Sequence, residues 1–189
     1  IFDECVIKEE YFVARNIAEK SGVTLREFLA NSIKIAERTD KEAVEEAFKQ
    51  IVDFNIDQLN LCKNTSSDIM TDVIVREQKR NLDFCITHDR FEWYKKYINR
   101  FSQFVFKMQK EEQSALTETL YAVYYAVLKK LVEENKKEWI QYTINQIESF
   151  TVIYIFAYDK TNIRNYAMLL TEMAIDCVNR KNDEFYSLF

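Results

Sequence analysis

The residues that could do chemistry in this chain are one histidine, four cysteines, a surplus of carboxylates and a set of tyrosines. His88 is followed by Asp89, a pair that could begin a metal-ligand set. Helical sites of that kind draw further histidines from other helices, and His88 is the only one here. Asp89 reads instead as the N-cap of the next helix, with His88 at the turn before it. The cysteines, Cys5, Cys62, Cys85 and Cys177, have neither CxxC nor Cys/His ligand spacing, so they read as reduced thiols, mostly in the core. Cys85 and His88 lie three apart, but the histidine falls at a helix end and the cysteine on an apolar face, which disfavours a nucleophile pair. A single glycine, Gly22, excludes glycine-rich phosphate loops, whose backbone must approach the phosphates closely. Carboxylate pairs such as Glu45-Glu46, Glu111-Glu112 and Glu133-Glu134 fall at helix ends or on polar faces and read as solvated surface. No cofactor, metal or catalytic residue is assigned, and the protein is read as a non-enzyme.

Basic doublets Lys95-Lys96, Lys129-Lys130 and Lys136-Lys137 alternate with aromatic residues, a mixture that can stack single-stranded nucleic acid. Here the aromatics follow helical core spacing. The chain as a whole carries a net charge of −5, all of it from residues 1–60, with 13 acidic against 8 basic side chains. No nucleic-acid partner is expected. The residual functional hint is Tyr121, Tyr124 and Tyr125: three tyrosines within five positions cannot all point into one narrow core stripe. Tyrosine gives large contact area at low entropy cost, so these three are the candidate partner-binding residues.

The elements that must position these residues are helices. With 189 residues, no proline and one glycine, the chain lacks the residues that β-hairpins and βα loops use for fixed or positive φ. Caps and breakers place helices at about 1–20, 24–37, 40–61, 67–87, 90–109, 114–134, 136–157 and 161–179, with a stub from 183. No apolar run approaches the roughly 18–20 residues of a membrane span. Asn64-Thr65-Ser66 matches a glycosylation sequon, a pattern short enough to arise by chance.

The helices repeat. Trp93 and Trp139 are the only tryptophans, and each opens the same pattern: Glu92-Trp93, Ile98, Phe101 and Phe104, against Glu138-Trp139, Ile144, Ile147 and Phe150. A further 46 residues gives Glu184-Phe185, and moving back 50 gives Glu42-Ala43, Phe48, Ile51 and Phe54. Thr39, Asp89 and Asn135 stand three residues before Glu42, Glu92 and Glu138, which reads as an N-cap followed by its reciprocal glutamate. The last copy has Lys181 at that place. In the preceding helices Leu25, Val75, Tyr121 and Ala167 share one column, Ile35, Cys85, Leu131 and Cys177 a second, and Ala36, Ile86, Val132 and Val178 a third, with Phe28, Tyr124 and Leu170 on the same face and Gln78 as the one polar break in that row.

A hairpin of about 46 residues whose apolar faces need stacked neighbours implies a right-handed-type α-solenoid of antiparallel helix hairpins. Its period resembles that of HEAT and armadillo repeats, and no motif of either family is present. The sequence is expected to form one helical-repeat domain over 1–189, with units at about 24–61, 67–109 and 114–157 and an incomplete unit at 161–189. Because that last unit stops early, the sequence reads as part of a longer, cytoplasmic chain. Trp93, Phe104, Trp139 and Phe150 are expected in the core. The function this implies is a scaffold that binds a protein or peptide in its groove, with a homodimer as a further expectation. The alternatives are a regulatory or oligomerisation domain of a larger, membrane-tethered protein, touching membrane only through segments outside this sequence, and a helical domain that binds or transforms a small molecule.

Overall fold

The computed structural model describes the backbone of residues 2–36, 41–62, 68–110, 114–155, 160–180, 185 and 187–189, and the side chains of 4–34, 42–57, 75–107, 120–149, 164–180, 185 and 187–189. Eight α-helices and no strand occur among the described residues: α1 (Phe2–Ile7), α2 (Tyr11–Ala36), α3 (Lys41–Cys62), α4 (Asp68–Thr87), α5 (Phe91–Lys110), α6 (Ser114–Glu133), α7 (Lys137–Ile155) and α8 (Lys160–Asn179). The protein is all-α. Its contacts separate into two compact units, residues 1–84 and 85–189, with the division inside α4.

In the first unit α2 packs on α1 and α3, and α1 also touches α3. The one glycine does not break a helix. Gly22 sits inside α2 with an ordinary negative φ, and the helix continues through it for 26 residues. A lone interior glycine costs only about 1 kcal/mol against alanine, which tertiary packing readily offsets. Ala14, Ala18 and Gly22 recur every fourth residue on the buried side of α2, giving it a thin face, continued by Leu29 and Ile33. Against it α3 buries Val44, Phe48, Ile51, Val52 and Ile56.

In the second unit α5 packs on α6 and α7, α6 on α7 and α8, and α7 on α8, so each helix touches the next helix and the next but one. Its core is aromatic: Tyr94, Tyr97 and Phe101 are fully buried, beside Trp93, Phe104, Tyr124 and Trp139. Phe91 stacks on Trp139 at 4.8 Å between centroids, and Tyr94 lies 5.0 Å from the same ring. Trp93, Phe104 and Trp139 are in the core as expected; the side chain of Phe150 lies outside the described set.

The helix-start reading of Asp89 and Asn135 is corrected. Both residues have positive φ, 53° and 57°, and each closes the helix before it. The Asp89 N–H donates to the Ile86 carbonyl and the Arg90 N–H to the Cys85 carbonyl; Asn135 and Lys136 repeat this on Val132 and Leu131. Paired bonds of this kind terminate a helix in a left-handed residue, a place usually given to glycine. With no glycine available, Asp and Asn serve, because their short polar side chains tolerate that conformation best among the other residues. The following helices start one residue later, since the Arg90 and Lys136 carbonyls accept the first intrahelical bonds, from Tyr94 and Ile140. Glu92 reaches Lys95 at 2.6 Å. The same turn stands between α1 and α2, with Glu9 at φ 60°. It is this turn, not Gly22, that separates the first two helices. Thr39, Lys181 and the Asn64 sequon lie outside the described residues.

Candidate functional site

Among the described residues, two grooves and one buried polar cluster are the candidates. The first groove, about 610 Å³, lies between α2 and α3 in the first unit. Leu25 and Ile51 form its floor, Phe28 and Phe54 its rims, and Lys20 and Gln50 add polar groups. Phe28 is 55% exposed and Phe54 37%, although both fall in columns that the sequence assigns to the core. Their counterparts in the second unit, Tyr124 and Phe104, are buried. Phe28 and Phe54 are thus apolar side chains with room above them, a feature that periodicity alone does not mark, because it reports which face is apolar and not whether anything covers it.

The second groove, about 360 Å³, lies between α6 and α8 and receives Tyr121, Tyr125, Arg164, Met168 and Glu172. The structure separates the three candidate tyrosines. Tyr124 is inside, its hydroxyl donating to the Ser102 Oγ at 2.7 Å, and burial pushes its phenol well above the ordinary range. Tyr121 is also buried, its ring 5.6 Å from that of Tyr124 in an edge-on contact, with part of its surface on the groove wall. Tyr125 is half-buried on the same wall. Only Tyr121 and Tyr125 of the three therefore face a groove.

The polar cluster centres on Glu77, whose side chain is 2% exposed. The Arg26 Nη1 donates to Glu77 at 2.7 Å and to the Asn81 Oδ1 at 2.8 Å, and Arg80 holds the other Glu77 oxygen at 2.7 Å. At its border Arg76 and Arg15 share Glu19, each at 3.4 Å. Gly22 is part of this arrangement: a Cβ there would overlap the Glu77 carboxylate. Sequence reasoning missed the cluster, since Glu77 and Asn81 sit one turn apart on α4 like any solvated pair. Its saturated pairing marks a clamp between α2 and α4 rather than a reactive centre.

The remaining candidate chemistry is accounted for by packing. Cys5, Cys85 and Cys177 are buried free thiols, and burial raises the pKa of Cys85 and Cys177, which disfavours the reactive thiolate. His88 is half-buried at the end of α4, and Asp89 pairs with the Lys136 Nζ at 2.6 Å. Among the described residues no group of three His, Cys, Asp or Glu side chains could hold a metal ion. Trp93, Tyr94, Tyr121, Tyr124 and Trp139 are inside, so these rings cannot stack on bases. Lys95, Lys130 and Lys136 are ion-paired with acidic neighbours. Among the described residues no helix is long and apolar enough to cross a membrane. Comparison with protein-family models, with curated proteins and with solved structures gives no match.

Proposed function

We propose that this protein is a non-enzymatic helical-repeat scaffold whose α2–α3 groove binds an apolar segment of a partner protein. The observation that carries the reading is the pair Phe28 and Phe54, two uncovered aromatic rims above an apolar floor in a groove of about 610 Å³. Grooves of this size with aromatic walls and a few polar groups are where binding energy concentrates. The non-enzymatic part draws support from the buried thiols and the saturated polar cluster.

The repeat part draws support from three matches across 46 residues within the second unit. Asp89 and Asn135 close their helices by the same bonds. Arg90 lies over the Trp93 ring at 5.8 Å, as Lys136 lies over Trp139 at 5.5 Å. Ile98 and Ile144, and Phe101 and Ile147, are buried at matching positions, as are Phe48 and Ile51 in the first unit. On this reading the unit is a helix hairpin, and the α5–α7 and α6–α8 contacts are the stacking of one hairpin on the next.

The test is selection from a displayed random-peptide library on the whole chain, followed by affinity measurement on the variants Phe28→Asp and Phe54→Asp. Selected peptides carrying apolar anchors are expected, with affinity falling tenfold or more in either variant, the loss typical of a central aromatic contact at about 1.4 kcal/mol or above. Peptides that bind both variants as tightly as the parent chain, or an absence of binders, would refute the assignment.

A further inference from the structure

The α8 helix is apolar on two sides. Leu169, Met173 and Cys177 are buried in the second unit, while Met168, Ile175 and Val178 point outward and are 47%, 54% and 57% exposed. On that outer side the exposed residues Arg164, Met168, Thr171, Ile175 and Val178 follow one another at steps of four, three, four and three. This alternation is the spacing of a coiled-coil seam, and from Arg164 to Val178 it runs about 21 Å along the helix.

The charges on this face are self-complementary. Arg164 and Glu172 stand eight residues apart, four on either side of Met168, too far for each other, and neither forms an ion pair or side-chain hydrogen bond with another described residue. Consider a second α8 laid antiparallel across the first, with the two-fold axis between Leu169 and Leu170. The seam then pairs Met168 with Thr171 of the other copy and Ile175 with the aliphatic stem of Arg164. The Arg164 guanidinium comes within reach of Glu172 of the other copy, and symmetry makes that ion pair twice. A helix with the same two charges in a parallel arrangement would set like against like.

We propose that the outer face of α8 is a homodimer interface, occupied by α8 of a second copy in antiparallel register, with Arg164 and Glu172 as reciprocal ion pairs. A single four-turn seam covers less than the roughly 800 Å² per partner of a standard stable interface, so the association is weak and concentration-dependent. Tyr121 and Tyr125 on the adjoining groove wall extend the apolar surface beside the seam. The inference is independent of the α2–α3 groove and of what binds there.

Sedimentation velocity of the full chain between about 5 and 500 μM, at low salt, tests it. The parent chain is expected to shift from monomer to dimer across that range. Arg164→Glu and Glu172→Arg, both at exposed positions, should each hold it monomeric, and the double variant carrying both reversals should dimerise again. Circular dichroism confirms that each variant keeps its helices. A parent chain that stays monomeric at the highest concentration overturns the proposal. Self-association unaffected by either single reversal overturns it too, since another surface would then carry the contact. Single variants that dissociate without rescue in the double variant overturn the antiparallel pairing.

Discussion

Replacing Gly22 by alanine should destabilise this protein, against the ordinary effect of that change. In an unstrained helix interior the substitution stabilises by about 1 kcal/mol, because alanine removes backbone freedom from the unfolded chain and favours the helix. At this position the new Cβ overlaps the Glu77 carboxylate. A solvated glutamate would swing aside at little cost. Glu77 is 2% exposed and held by Arg26 and Arg80, each at 2.7 Å, so moving it breaks a buried ion pair. Breaking such a pair costs about 3–5 kcal/mol, and subtracting the helix gain leaves a net loss of about 2–4 kcal/mol. Urea unfolding followed by far-UV circular dichroism measures it. The companion variant is Gly22→Ala in a Glu77→Ala background, where the methyl group has room. There the same change should become neutral or stabilising, giving a coupling of about 2 kcal/mol or more in the double-mutant cycle. A Gly22→Ala variant as stable as the parent, or effects that add to within about 0.5 kcal/mol, would show that Gly22 is not shaped by Glu77.

Trp139→Ala removes the ring that Phe91 and Tyr94 pack against and should cost about 3–5 kcal/mol in the same assay. Glu9→Gly places the residue best suited to a positive φ where the chain now has glutamate at φ 60°, and should raise stability by about 1 kcal/mol. Tyr94 donates its hydroxyl to Thr143, whose own proton goes to the Trp139 carbonyl, and burial raises the pKa of Tyr94 and Tyr124. A raised acid pKa stabilises the fold below the unfolded value and is lost above it, so stability should begin to fall near pH 9, where the Cys85 thiol of the unfolded chain ionises, and more steeply from about pH 10 upward as the tyrosines follow. Stability curves at pH 8 and 11 check this, with Tyr124→Phe reducing the alkaline loss. Cys85 should react with a thiol reagent only as fast as the protein opens, because its sulfur is fully buried; prompt labelling under native conditions would contradict that.

Composition and periodicity decided the class of fold. A chain without proline and with one glycine has few ways to turn other than helix ends, and apolar columns at helical spacing fix which faces go inward. Cys85, Leu131 and Cys177 share a column and are all buried, as are Ile98 with Ile144 and Trp93 with Trp139, whereas Val178, expected in the core column of the buried Ile86 and Val132, faces outward because no described helix covers that side of α8. Local signals failed where one residue type suits two roles. Asp and Asn favour both N-caps and left-handed helix ends, and the hydrogen bonds of the whole turn decide between them. Gly22 favours a break on propensity alone, and burial against α4 overrode it. Tertiary structure alone settled what covers each apolar face. Tyr124 and Phe104 are roofed by neighbouring helices while Phe28 and Phe54 are not, and Glu77 meets Arg26 from 51 residues away. Sequence spacing records the direction in which a side chain leaves its helix; the neighbour it meets depends on contacts between segments far apart in the chain, and those exist only once the helices have packed.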